Sequence, residues 1–471
     1  MLEFDLPMKK SVARLLRAEL RSIAFIASML ALGACSSGPT YYNPLTDPDA
    51  SVIQGRNVTF FYHPNAVPCV GTVPYLDSNV DAIASYLGVQ VPAPIEYHFT
   101  QQLPCAPEAY GCVESAPQII PEVWANVPDT VHELTHAVQF CKTSPSVAFI
   151  NEAEAVALGE AYYYGVVDGL SDTMLLTPDP LPGDYYPTAG DFGSYLLTTY
   201  GPAPLEQVFS AVPKGSPPDA VEAEFTVAYG ESMAQLRADR ADSGLVFPWD
   251  RIKLTECMAL EPDDSIADGG AVSETVDCTA NAVGVFDASM YRMIPFDIAD
   301  DGLYTIDLEV PDNAGATLTG CATSTQLDWG SSSWIPAQSI VVGYLAHGRY
   351  ALGLGAPSEA GVTFTVTVHP IALGTHPACA SVPVLSIPQG TRHLFVFSTD
   401  DATVEIPFEL GSPAIASGWR GLAAQAQICL DGCDQGCSAT DASSPNLSVD
   451  VTYTVAAQFV ANGRYVAIDF E

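Results

Sequence analysis

Basic residues are what this chain has least of. Among 471 residues only 17 are Lys or Arg, against 55 Asp or Glu, giving a formal net charge of −38 at pH 7. Nucleic-acid binding needs clustered cations to neutralise phosphates, and docking on an anionic lipid face needs a basic surface, so both kinds of partner are excluded. Long apolar runs are missing as well. The stretch Ile23–Ala34 has twelve residues, where a bilayer-crossing helix takes about 20, and no other segment is both long and apolar enough. Charged residues make up only 15% of the chain while 48% is hydrophobic, the opposite of a disordered composition. The length allows about three domains at roughly 150 residues each. On a foldable chain, the acidity reads as a solubility device for an exposed protein.

The scarce cations are bunched at the start: Lys9, Lys10, Arg14, Arg17 and Arg21 precede the apolar stretch. A basic segment before a short apolar one has the form of a secretory signal peptide. That stretch ends Leu32-Gly33-Ala34-Cys35-Ser36-Ser37, which resembles a bacterial lipobox. The resemblance implies cleavage before Cys35, lipidation of Cys35, and an exported lipoprotein of the outer membrane or cell surface. Residues 1–35 are then the signal peptide with its lipobox Cys, and the Pro-rich, polar residues 36–50 a tether. Twelve Cys suit an oxidising compartment. Four of them (69, 105, 112 and 141) fall within residues 51–150, where two bridges are plausible, and Cys257 with Cys278 forms a natural local pair. Eleven Cys remain after Cys35, so at least one thiol is left over. Cys429, Cys433 and Cys437 read as disulfide formers rather than a metal cluster.

Hydrophobic periodicity divides the rest. Asn57–Tyr62 and Ile95–Thr100 alternate like strands, with a short helix between them over Ser78–Leu87. Helical periods then run over 129–141, 146–164 and 189–200, the last stopped by Gly201-Pro202, and residues 203–240 add two or three short helices. Near residue 250 the pattern turns to short alternating strands, such as Leu303–Glu309 and Val362–Val368. A segment recurs: Leu345-Ala-His-Gly-Arg-Tyr is echoed by Val460-Ala-Asn-Gly-Arg-Tyr, and Asp300-Asp301 by Asp400-Asp401. The fold class is therefore multidomain: an α+β domain over 51–250, then two all-β sandwich-like modules over 251–370 and 371–471. The Asp pairs read as solvated turns, because they lack a calcium-loop pattern.

One constellation carries chemistry. Residues 132–136 read His-Glu-Leu-Thr-His. Positions i and i+4 share a helix face, so His132 and His136 can present imidazoles to one metal, with Glu133 beside them. A second use of Glu133 is open, since Thr130-x-x-Glu133 also matches a capping box. Downstream, Phe149-Ile150-Asn151-Glu152-Ala153-Glu154-Ala155 follows on the next helical segment. HExxH followed by Asn-Glu-x-x-Ala resembles the gluzincin zinc metallopeptidases. That resemblance implies a zincin-like fold for 51–250 and Zn2+ held by His132, His136 and Glu152. It also implies that Glu133 is the general base acting on a zinc-activated water, and that the substrate is a polypeptide. Helix arithmetic agrees, because His136 and Glu152 stand level across an antiparallel turn. Glu154 and Glu160 stay open as alternatives, the first about 200° around the helix and the second two turns deeper. The stretch from Tyr185 to Phe192 resembles the helix that closes gluzincin sites. It makes Tyr185 or Tyr186 a candidate oxyanion donor and Asp191 a weaker candidate for orienting a ligand imidazole.

The reading is an exported, lipid-anchored zinc peptidase, with no nucleic-acid partner. A surface-anchored binding or adhesion lipoprotein with an inert zincin domain is the alternative, and an enzyme acting on a non-peptide ester or amide a third.

Overall fold

The computed structural model describes residues 50–100, 103–104, 111–114, 121–142, 144–159, 185–243, 266 and 271–284, and between 289 and 470 the strands with a few flanking turn residues. Cys35, the signal segment and almost all of the tether lie outside the described residues, as do Glu160 and Cys257.

The first part opens with strands β1 (Ser51–Gln54) and β2 (Val58–Tyr62), helix α1 (Thr72–Leu87), and strands β3 (Ile95–Phe99), β4 (Gly111–Glu114) and β5 (Glu122–Ala125). Helices α2 (Val131–Lys142), α3 (Ala148–Gly159), α4 (Tyr186–Tyr200), α5 (Pro202–Ala211), α6 (Pro218–Tyr229) and α7 (Met233–Asp242) follow. The five strands form one sheet in the order β1-β2-β3-β5-β4. β2, β3 and β5 are parallel, and β1 and β4 run antiparallel at the two edges. Strand alternation decides the faces: Val58, Phe60, Ile95, Tyr97, Phe99, Val123 and Ala125 all enter one core with the helices. α1 begins at Thr72, six residues earlier than the periodicity suggests, and stops where Gly88 takes a left-handed conformation (φ 63°) that lets its N–H reach the Ala84 carbonyl.

α2 and α3 are buried all around, Ala148 to Leu158 without a break, as expected of helices enclosed by others. Their packing is backbone-close. A Cβ on Gly159 would stand 2.5 Å from His132 N, and one on Gly193 of α4 2.1 Å from the Ala153 carbonyl oxygen. Small residues at these crossings set how near α3 lies to α2.

The β region contains β6 (Ala271–Val276), β7 (Val283–Gly284), β8 (Ser289–Ile298), β9 (Gly302–Glu309), β10 (Gly315–Gly320), β11 (Gln326–Leu327), β12 (Ile335–Pro336), β13 (Ser339–Leu345), β14 (Gly348–Pro357) and β15 (Val362–Pro370). It continues through β16 (Leu385–Ile387), β17 (His393–Ser398), β18 (Thr403–Leu410), β19 (Ala414–Gly421), β20 (Gln425–Leu430), β21 (Asn446–Leu447), β22 (Thr452–Gln458) and β23 (Arg464–Phe470). The sequence echo has a counterpart in pairing. β14, which opens with the Gly-Arg-Tyr turn, lies between β8 and β10; β23, which opens with its copy, lies between β17 and β19. Likewise β9 pairs β13 and β18 pairs β22. The two stretches also share a sheet: β13 runs parallel to β17 inside the eight-stranded order β21-β19-β23-β17-β13-β9-β15-β6.

The disulfide expectation needs correction. Cys278 bonds Cys69, 209 residues away in sequence, and not Cys257. Cys69 is thereby taken from the cluster within 51–150. Cys112 is disulfide-bonded, and Cys141 carries a free thiol whose pKa burial pushes up to about 11. Among the described residues no helix is long and apolar enough to cross a membrane.

Candidate metal centre

α2 carries His132 and His136 one turn apart, their rings edge-to-face with centroids 4.8 Å apart. α3 delivers Glu152 against both. Its Oε2 lies 3.1 Å from His132 Nε2 and 3.3 Å from His136 Nε2, and all three side chains are buried. Ligands around a tetrahedral ion with bonds of about 2.0–2.1 Å stand roughly 3.3–3.4 Å apart. Both Glu152 distances are close to that spacing, and the three donor atoms lie within 4.8 Å of one another.

The network behind His136 fixes what the site wants. Gln139, one turn along α2, places its Oε1 3.1 Å from His136 Nδ1, while its amide nitrogen donates to Glu154. The amide is thus oriented with its oxygen toward the ring, and it accepts from Nδ1–H. A neutral His136 then turns the lone pair of Nε2 toward the Glu152 carboxylate, an arrangement that needs positive charge between them, a proton or a metal ion. With no ion between them, a proton on Nε2 plays that part and the two groups form an imidazolium–carboxylate pair. Burial opposes charge on both groups, yet Glu152 and its hydrogen bond hold the His136 pKa above its ordinary value. Burial raises the Glu152 carboxyl, but the two imidazoles hold it far below the usual carboxylate range. A metal ion suits this donor set, two imidazoles and one carboxylate with further positions open.

Glu154, two residues past Glu152, faces away from the pair, as its place on the helix requires. It is buried, and its pKa is driven well up by that burial and by Glu206, with which it hydrogen-bonds. Lys142 Nζ reaches Glu206 at 2.7 Å.

Glu133 sits beside the triad, and its surroundings settle the capping question. The Thr130 N–H that a capping box would hand to Glu133 donates instead to the Tyr97 hydroxyl (3.1 Å), which itself donates to the Val127 carbonyl (2.7 Å). Edge strand β4 passes against Glu133: a Cβ on Gly111 would lie 2.5 Å from its Cγ and 2.8 Å from its Oε1. Of the two tyrosines, Tyr186 is brought to the site, its ring stacked on His132 with centroids 6.0 Å apart. Asp191 does not orient a ligand imidazole. It is paired in fork geometry with Arg240, at 2.7 and 3.0 Å. Gln139 is the member of this network that the sequence reading missed, although a polar residue three after His136 shares its helix face.

No family model matches the chain, and no curated protein does. Among solved structures, the CUB1-EGF-CUB2 domains of rat MASP-1 align with 42% of this chain and 97% of their own length, at 6% identity and a TM-score of 0.14. A score that low carries no argument about fold.

Proposed function

We propose that this chain is a zinc-dependent peptidase with a gluzincin-like catalytic domain, exported and anchored by lipid at Cys35, that hydrolyses polypeptides outside the cytoplasm. The convergence of His132, His136 and Glu152 on one position carries the reading. His2Glu with an open position favours zinc. When bound, zinc supplies Lewis acidity toward a carbonyl and toward water.

The chain's own residues supply the rest. β4 is an edge strand, and among the described residues β5 alone pairs with it. An extended peptide can add to such an edge through main-chain hydrogen bonds. That track leads past Glu133, because the Gly111 backbone lies against its carboxylate. Glu133 takes a proton from the attacking water and returns it to the leaving nitrogen. Tyr186, whose ring lies against His132, is the candidate donor to the developing oxyanion. Gln139 holds His136 in the tautomer that leaves Nε2 available.

The test digests a mixed library of unfolded peptides with residues 36–471, wild type and Glu133→Gln in parallel, with metal content measured on each. Wild type should cleave. Glu133→Gln should keep its zinc and lose activity by about 10²–10⁴-fold. Equal cleavage by both would remove Glu133 from the mechanism. No cleavage by either, with zinc present in both, would leave a binding lipoprotein with an inert metal domain.

A further inference from the structure

A second cluster lies on the opposite face of the five-stranded sheet. β3 and β5 are parallel, with Glu96 beside Glu122 and His98 beside Trp124. Because alternate residues share a face, Glu96, His98, Glu122 and Trp124 all turn away from the core that receives Tyr97 and Val123. The His98 ring is clamped between Phe61, at 4.6 Å, and Trp124, at 4.2 Å, with both stacks near parallel. It is 1% exposed.

Neither ring nitrogen of His98 has a hydrogen-bond partner. Leaving buried polar atoms unmatched is costly, so the position needs a reason. Nε2 supplies one by its direction. It faces the carboxylates of Glu96 at 3.6 Å and Glu122 at 4.0 Å, too far for hydrogen bonds and each on the scale of a ligand-to-ligand distance. Two carboxylates and an imidazole bring their donor atoms within 4.8 Å of one another.

We propose that Glu96, His98 and Glu122 form a second, structural site for a divalent transition-metal ion, clamping β3 to β5. The imidazole argues against calcium or magnesium, which take oxygen ligands, and for zinc or manganese. Roughly 3.3–3.4 Å separates ligands on a tetrahedral zinc, so the Glu96 carboxylate must close by about 0.2–0.3 Å and that of Glu122 by about 0.6–0.7 Å. They can, because the Glu96 and Glu122 side chains are 40% and 28% exposed. The stacked ring supplies the fixed donor. This site shares no residue with the His132 triad, so either can fail without the other.

The probe is zinc alone, titrated into metal-free residues 36–471 at about 150 mM salt to screen the many surface carboxylates, with stoichiometry also read by elemental analysis. Three proteins are compared: wild type, His98→Phe, which keeps the aromatic stack, and the pair Glu96→Gln/Glu122→Gln, which keeps shape. Wild type should bind two ions per chain. Each variant should bind one tightly and show the second dissociation constant raised by about 100-fold or more, since even removing an outer partner of a ligand costs 10–100-fold. A His132→Ala/His136→Ala protein should retain the Glu96 site. One ion in wild type, lost with His132 and His136, overturns the proposal. So does a second ion that His98→Phe binds as tightly as wild type, which would be adventitious binding to surface acids.

Discussion

Gln139→Leu separates a positioning role for this residue from simple packing. The amide is buried and spans two groups, His136 Nδ1 at 3.1 Å and the Glu154 carboxyl. Leucine nearly fills its volume, so the cavity cost is small, but it offers neither acceptor nor donor. Two buried polar atoms lose a partner at about 1–3 kcal/mol each, giving roughly 2–6 kcal/mol. That is a large share of the 5–15 kcal/mol typical of a whole domain, so the variant should fold but melt earlier. The effect on metal is separate. Without an acceptor at Nδ1, the His136 proton is as well placed on Nε2, where it blocks the ligand lone pair. Zinc affinity should fall by about 10–100-fold. Gln139→Glu is the control: it keeps an acceptor for His136 and loses the donor to Glu154, so it should be less stable yet bind zinc within a few-fold of wild type. Thermal unfolding of metal-free protein and zinc titration against a competing chelator read the two effects apart. Undiminished zinc affinity in the leucine variant, or an equal fall in both variants, refutes the reasoning.

Three further perturbations follow from named contacts. Gly193→Ala drives a methyl to within 2.1 Å of the Ala153 carbonyl oxygen; it should cost at least about 1–3 kcal/mol and weaken zinc binding by shifting Glu152, and an unchanged melting temperature would contradict the close α3–α4 packing. Tyr291→Phe removes the 2.7 Å hydrogen bond to half-buried Asp129 and should cost about 1–3 kcal/mol at pH 7. Burial holds the Asp129 pKa up while Tyr291 draws it down, so the variant raises it further. An acid with a raised folded pKa supports the fold below its unfolded value and works against it as pH climbs through the folded one. The Tyr291→Phe deficit should therefore shrink in denaturant melts taken at lower pH, and a deficit that grows in acid refutes the assignment. Cys35→Ala should abolish metabolic labelling by fatty acid and release the protein from membranes, whereas retained label would move the anchor elsewhere.

The triad was legible because its information is local. An i, i+4 pair of His fixes a shared face, and helix rise places Glu152 level with His136 once the turn between them is known. The actual helix limits, Lys142 and Ala148, differ from the expected ones by a residue or two without disturbing that register. What stayed hidden depends on partners remote in sequence. Thr130 looks like half of a capping box until Tyr97, thirty-three residues earlier, takes its N–H. Cys278 has a near neighbour in Cys257, and only the fold brings Cys69 to it. The echo of Gly-Arg-Tyr announced a repeat, but the parallel pairing of β13 with β17 leaves no periodicity of its own. β4 is four residues opened by glycine, too short and too weak in strand preference to be read, yet it passes against Glu133.

The remote contacts that were hardest to read bind the β region to the ends of the site's helices. Just before α1, Cys69 N–H donates to the Gly284 carbonyl at 2.9 Å, Val70 to Cys278 at 2.8 Å and Gly71 to Ala282 at 3.0 Å, and the Cys69–Cys278 disulfide closes the same junction. Thr72 Oγ1, at the first residue of α1, donates to Gly284 as well. Tyr291 of β8 then reaches Asp129, two residues ahead of α2, while its ring meets Tyr75 of α1 edge-on at 5.9 Å. Residues 278–291 thus hold the segments that lead into both helices, and α1 packs directly on the helix that bears His132 and His136. Cutting the chain near residue 250 would strand those backbone N–H groups and leave Asp129 without its donor, at about 1–3 kcal/mol for each group that stays buried. The unit that holds the metal centre in shape therefore extends past the helices, at least as far as β8.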